Sequence, residues 1–264
     1  MFPFTPRFYG PAIVLSMLLS GCGGDVMPSP DVSQEAVFTV SGLVTDLEGT
    51  PVIDVFVTVS TEFCIPDRTD EEGGFQVKKV TAGPKRLVTY GETASSALVA
   101  SVSFGFEAEG QHVFGAPIRL PRLDERWPIV EDSPEEQVIT TDDGLTLTIL
   151  PAALKLAPFA PAELQVARVP LADAPAFVPV GVELVDLFVL HPILSTLSPP
   201  APLAFPDDTG LSPGTRVSFH ALDYESGQLI PVASGEVDET GRPRTDDGEG
   251  ISELTWVGLS VEVE

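Results

Sequence analysis

The chain has 264 residues, 43% of them hydrophobic, and 39 Asp plus Glu against 14 Lys plus Arg, for a net charge of −25. A surface of that sign repels nucleic acid and anionic headgroups over a Debye length, which argues against both as direct partners of the body. Two cysteines, Cys22 and Cys64, are too few for a disulfide-built scaffold, and no uncharged apolar run after Cys22 reaches the ~18 residues of a spanning helix.

At the start of the chain, residues 11–22 form a short apolar run behind a single cation, Arg7, and end on small residues. The run has the size of a signal-peptide core and is too short to cross a bilayer. Its last four residues, Leu19-Ser20-Gly21-Cys22, resemble the lipobox of bacterial lipoproteins. The resemblance implies a signal peptide over residues 1–21, cleavage between Gly21 and Cys22, and a covalent lipid on the Cys22 thiol. Acyl chains buried at about 0.8 kcal/mol per methylene would then hold the protein on a membrane. The absence of Asp directly after Cys22 is compatible, by the same analogy, with the outer membrane. The expected address is therefore the cell envelope, with the membrane as partner through the acyl anchor. Residues 22–36, with Gly23, Gly24, Pro28 and Pro30, read as a flexible tether.

From Val37 the pattern turns to short β-rich runs broken by Gly, Pro and Asp. Strands are predicted over residues 37–44, 52–59, 75–80, 86–90, 97–106 and 112–120, with turns at Asp46-Leu47-Glu48-Gly49, Glu72-Gly73-Gly74 and Ala82-Gly83-Pro84. About seven short strands at this spacing predict a sandwich over residues 37–123. The runs around Val40-Ser41-Gly42-Leu43-Val44-Thr45-Asp46, Val55-Phe56-Val57-Thr58-Val59 and Thr69-Asp70-Glu71-Glu72-Gly73-Gly74-Phe75 resemble the carboxypeptidase regulatory-like family. That resemblance implies a transthyretin-like, carbohydrate-binding-like β-sandwich acting as a spacer or binding module without catalysis. One extra residue between Thr69 and Phe75, relative to the family's spacing, lengthens a hairpin. Cys64, unpaired if Cys22 is acylated, is expected to be buried as a small apolar residue between Phe63 and Ile65.

Residues 124–136 are acidic, carry Pro128 and Pro134, and are expected to link two domains. Residues 137–264 are predicted as a second, loop-rich β-sandwich, so the fold class is all-β throughout. Strands are expected on either side of Asp142-Asp143-Gly144, in the continuous apolar run 182–190, in the alternating segment 215–224, and over 229–238 and 251–263. One helical turn is expected over residues 152–156. The Gly-Leu-Thr-Leu-Thr-Ile-Leu-Pro opening at Gly144 and the Gly-Glu-Val-Asp-Glu-Thr-Gly hairpin at Gly235 are similar to ZU5-like domains of bacterial surface proteins. Some relatives of that fold cut themselves at His-Phe-Ser; here the order is Ser218-Phe219-His220, so no self-cleavage is expected.

Chemistry-bearing residues are few. His112, His191 and His220 are the only histidines, and each is expected to be structural or on the surface. Neither a hydrolytic triad nor a zinc-ligand spacing is predicted, and the protein is not expected to be an enzyme. Paired carboxylates at Asp142 and Asp143, Asp207 and Asp208, and Asp246 and Asp247 lie on turns and are candidate calcium ligands, outside any EF-hand spacing. Trp127, Trp256, Tyr90 and Tyr224 are the candidate sugar-stacking aromatics. The function expected from all of this is a membrane-anchored bacterial surface lipoprotein whose non-catalytic modules bind or scaffold. Its alternatives are a carbohydrate-binding or adhesion module and an accessory subunit of a secreted hydrolase. A surface glycan or a protein is the expected partner, with no cofactor beyond the lipid on Cys22 and the calcium just considered.

Overall fold

The computed structural model describes residues 36–60, 63–158, 160–179 and 182–262. Gly21 and Cys22, with the signal peptide and most of the tether, lie outside the described residues. The fold is all-β, and within it Ala36–Glu264 form one compact unit. The first part holds β1 (Val37–Asp46), β2 (Phe56–Ser60), β3 (Cys64–Arg68), β4 (Gly74–Thr81), β5 (Gly83–Tyr90), β6 (Val102–Ala108), β7 (His112–Val113) and β8 (Ile118–Leu120). The middle holds β9 (Glu125–Pro128), β10 (Gln137–Thr140), β11 (Thr146–Ile149), β12 (Leu154–Lys155) and β13 (Glu163–Arg168). The last stretch holds β14 (Leu184–His191), β15 (Thr196–Ala201), β16 (Leu203–Ala204), β17 (Arg216–Asp223), β18 (Gln228–Val237), β19 (Pro243–Thr245), β20 (Ile251–Glu253) and β21 (Trp256–Val261). The helices among the described residues are three-residue 3₁₀ turns, so none is long or apolar enough to cross a membrane.

The first part is a sandwich of two sheets. In one, β1 pairs antiparallel with β4 and parallel with β7 and β8; the other runs β3-β2-β5-β6, antiparallel throughout. Val40, Val44, Val57, Val59, Val77 and Val80 are buried in one core. The residues of the Thr69–Phe75 motif do structural work. Thr69 Oγ1 accepts from Val55 N at 2.9 Å and donates to Val52 O at 2.7 Å. The Asp70 carboxylate accepts from Glu72 N and Gly74 N at 3.1 and 2.7 Å, which closes the hairpin around the extra residue. Gly73 has a φ of +77°, and a Cβ there would lie 2.4 Å from Val44 O, so the turn admits no side chain.

A ten-stranded sheet, in the order β10-β11-β16-β19-β18-β17-β21-β14-β13-β9, dominates the second part, with a three-stranded sheet β12-β15-β20 beside it. Two of its strands, β14 and β21, are buried on both faces. Leu187, Val189 and Trp256 belong to the core of the first sandwich, whereas Phe188, Leu190, Val257 and Leu259 belong to the second core. This explains why residues 182–190 read as a continuous apolar run without strict alternation: a strand with a core on each side has no solvent face to make polar. Phe177, Leu222 and Leu229 join the same first core. The second core is built around Phe188, Phe205 and Phe219, whose rings contact edge-on at 5.4 and 5.6 Å.

Several expectations change here. Residues 124–136, expected as a linker, carry β9, which hydrogen-bonds to β13 at the edge of the ten-stranded sheet. Residues 152–156 form no helical turn: Ala152 has a φ of +54°, and Leu154–Lys155 pair with Leu197 and Thr196 as a strand. Strands β3, β13, β15, β16 and β19 were not anticipated. Cys64, expected inside, is exposed, because β3 is an edge strand and its Cys64 side chain faces out beside Ser60, with Sγ 3.3 Å from Oγ.

Candidate functional site

The two parts meet across a polar seam as well as a shared core. Trp256 Nε1 donates to the Ser101 carbonyl at 2.6 Å and Tyr224 Oη donates to the same oxygen at 3.1 Å. Arg86 Nη1 returns the contact, donating to the carbonyls of Tyr224 and Glu225 at 2.7 and 2.6 Å. Burial pushes the Tyr224 hydroxyl well above the usual phenol range, so it stays a donor. Arg119, from the first part, pairs with Asp173 from the second.

At one end of this seam lies a recess of about 520 Å³. Tyr90 at the end of β5, Glu92 in the turn Gly91–Thr93, and Leu98 supply one wall; Gln165 of β13, His191 of β14, the pairs Ala157-Pro158 and Ala160-Pro161, and the loop at residues 192–194 supply the rest. Gln165 and His191 are directly opposite partners in the β13–β14 ladder, so their side chains share a face. They are only 2% and 3% exposed, yet Gln165 Oε1 and both ring nitrogens of His191 have no hydrogen-bond partner among the described residues. Buried polar atoms are nearly always satisfied, so three orphans on two neighbouring side chains that line one hollow single it out as the candidate site.

Glu92 closes the polar side. Ser101 Oγ accepts from Gly91 N at 2.8 Å and donates to Glu92 Oε2 at 2.6 Å, and that same carboxylate oxygen lies 3.8 Å from His191 Nε2. Burial works to raise the Glu92 carboxyl, but His191 and Ser101 outweigh it and hold it below the usual carboxylate range. A histidine, a carboxylate and a serine therefore meet in a cleft, but in an order that does not make a nucleophile. The serine hydroxyl is spent on the carboxylate and is fully buried, and no imidazole stands ready to take its proton. The other close serine–histidine pair, Ser260 Oγ and His220 Nε2 at 2.8 Å, is buried between strands, with burial pushing the His220 pKa down and its Nδ1 left unpartnered.

Gly210-Leu211-Ser212-Pro213-Gly214 spells Gly-x-Ser-x-Gly, a match that the sequence reading passes over. It lies in an exposed loop leading into β17, whereas a nucleophile elbow turns from strand into helix.

The remaining sequence candidates are dispersed. Asp208 is held bidentately by Arg168, with both N–O distances 2.8 Å, and the same guanidinium clasps Asp186; Asp246 is paired in the same way with Arg216. Asp142 and Asp143 sit on the β10–β11 turn, where burial and then these two charges raise the pKa of neighbouring Glu125. The described residues contain no group of three or more His, Cys, Asp or Glu arranged to hold a metal ion.

Of the aromatics, Trp256 is fully buried and presents no ring face to solvent, because β21 has a core on each side. Trp127 is half-buried on β9, and Tyr224 is half-buried in the seam. The four do not form one exposed face; Tyr90 alone lines the recess. His112 packs against Phe106 and Phe114 at ring distances of 4.9 and 4.7 Å. Sequence reasoning missed Glu92, Ser101 and Gln165. Gln165 left a trace, as a polar residue inside the run Leu164-Gln165-Val166-Ala167, whereas Glu92 and Ser101 left none, since their roles come from chain segments far apart.

No family model matches the chain, and neither does any curated protein. Sixteen solved chains resemble it in structure. Among them are a DUF3823 family protein from Parabacteroides merdae (9% identity, 87% of this chain and 100% of that one, TM-score 0.27) and the Bacillus anthracis TIE protein (10%, 86% and 48%, TM-score 0.30). BcpA, the major pilin subunit of Bacillus cereus, aligns at 11% identity over 82% of this chain and 86% of its own, with a TM-score of 0.29. Likeness at this level assigns no activity.

Proposed function

We propose that the protein is a lipid-anchored envelope protein, held to the outer membrane through an acylated Cys22, and that its β body is a non-catalytic binding module. The recess formed by Glu92, Gln165 and His191 is its site. The observation that carries the binding reading is the set of three buried, unpartnered polar atoms on one hollow between the two parts. The Leu19-Ser20-Gly21-Cys22 motif behind an apolar leader supports the anchor, and the acidic balance of the chain suits a body that hangs free of an anionic membrane. A glycan or adhesion role is favoured by Tyr90, the sugar-stacking candidate at the recess.

The anchor is tested by fractionating cells that express the full chain and its Cys22→Ser variant. The account expects the parent in the membrane fraction, with an intact mass that begins at Cys22 and carries acyl chains. It expects the variant to be folded and released. Retention of Cys22→Ser in the membrane would overturn the anchor.

A further inference from the structure

We propose that the recess binds a small organic cation, a protonated primary amine whose ammonium head sits among Glu92, Gln165 and Tyr90 and whose stem lies on Leu98, Pro161 and Ile193. This rests on the reading of the recess as a binding site and adds the ligand's chemical class.

On the walls, the Glu92 carboxylate accepts hydrogen bonds only, and Gln165 Oε1 is a buried acceptor without a partner among the described residues. Among the described residues, Glu92 pairs with His191 at 3.8 Å, longer than a direct hydrogen bond. The carboxylate stays accessible, with the Ser101 hydroxyl as a close donor. The described residues that line the recess include no Lys or Arg, so a ligand that supplies both charge and several N–H donors complements this anion. An ammonium has three donors and no acceptor, which suits a carboxylate and an unpartnered carbonyl oxygen, and Tyr90 also lines the recess. The opposite walls, Leu98, Ala157, Pro158, Pro161 and Ile193, are apolar and suit a short hydrocarbon or ring. A net charge of −25 on the chain raises the local concentration of cations at any concave site. Alkylamines are protonated at neutral pH, as the ordinary lysine value of about 10.4 shows, and amino sugars, whose neighbouring oxygens acidify the ammonium, are protonated in mildly acidic solution.

The amine could come from an alkylamine or from an amino sugar, so the test separates them. The protein of residues 22–264, in solution at pH 6.0, where both amines are protonated, is titrated with butylammonium, with glucosamine and with uncharged 1-butanol, and saturation is followed by chemical-shift changes in two-dimensional NMR. We expect an ammonium to bind at least about tenfold more tightly than 1-butanol, a difference of about 1.4 kcal/mol. The tighter of the two amines identifies the source. In Glu92→Gln the amine should weaken to the level of 1-butanol. If Glu92→Gln does not fold, Ala160→Trp in the recess keeps the test open, because it should block both amines and leave signals of Gly83, at the opposite end of β5 from Tyr90, unmoved. Equal binding of 1-butanol and butylammonium would overturn recognition by charge while leaving the recess a binding site. The absence of saturation with any of the three would overturn the proposal together with the assignment of this recess, leaving the anchor to its own test.

Discussion

The seam at Ser101 makes a quantitative prediction. Its carbonyl is buried and receives two donors, Trp256 Nε1–H at 2.6 Å and Tyr224 Oη–H at 3.1 Å. Tyr224→Phe removes one bond and should cost about 1 kcal/mol, since the other donor still satisfies the oxygen. Trp256→Phe removes the second bond for a similar cost and leaves a void in a fully enclosed site, for a total of about 2–3 kcal/mol. The double variant leaves the carbonyl with neither donor, so the desolvation penalty of an unsatisfied buried group, about 1–3 kcal/mol, appears on top of the sum. The assay is urea denaturation followed by circular dichroism on all four proteins. Coupling of 1 kcal/mol or more within a single transition supports the seam. Additivity to within about 0.5 kcal/mol would refute it.

Other consequences are independent of that one. Arg168 is the shared guanidinium of Asp186 and Asp208, and Asp186 is 4% exposed; Arg168→Ala should cost about 3 kcal/mol in denaturation by leaving a buried carboxylate unpaired, and a loss under about 1 kcal/mol would contradict the pairing. Gly91→Ala would put a Cβ 2.1 Å from the Val99 carbonyl, so it should destabilise by more than about 2 kcal/mol and displace Glu92, abolishing amine binding; wild-type binding in this variant would count against the placement of the turn. Burial lowers the His220 pKa, so its stabilising contribution is present above the ordinary histidine value and is lost as pH falls through the folded value. The urea midpoint of the parent should therefore drop between pH 7.5 and 5.5 by more than that of His220→Gln, and equal drops would contradict the burial. Cys64 is exposed on an edge strand and should react with a thiol reagent in the native protein, whereas reaction only after unfolding would return it to the interior.

Much of the β build was legible in the sequence where a strand has one wet face. Residues 215–224 alternate cleanly, and β17 occupies 216–223 of them; the Asp142-Asp143-Gly144 turn and its flanking strands appear where expected. Strands that violate alternation for a physical reason were harder to read. β3 carries Pro66 and Asp67 at an exposed edge, which suits an unpaired strand face but hides the β signal. β9 lies in an acidic, proline-bearing stretch that composition marks as a linker, and only its partner β13 makes it a strand. The recess was the least legible feature. His191 was in view, but Glu92 comes from the first part and Gln165 from a strand that the sequence did not reveal, so no spacing rule could bring them together.

The central claim is that both parts form one body with the recess already shaped between them. Native-state hydrogen exchange on residues 22–264 tests it most directly. The account predicts that core amides of both parts, such as those of Val57 and Leu87 on one side and Phe188 and Val257 on the other, exchange through global unfolding with one common free energy. If the amides of residues 37–123 opened with a lower free energy of their own, the two parts would be separate units and the recess would not be preformed.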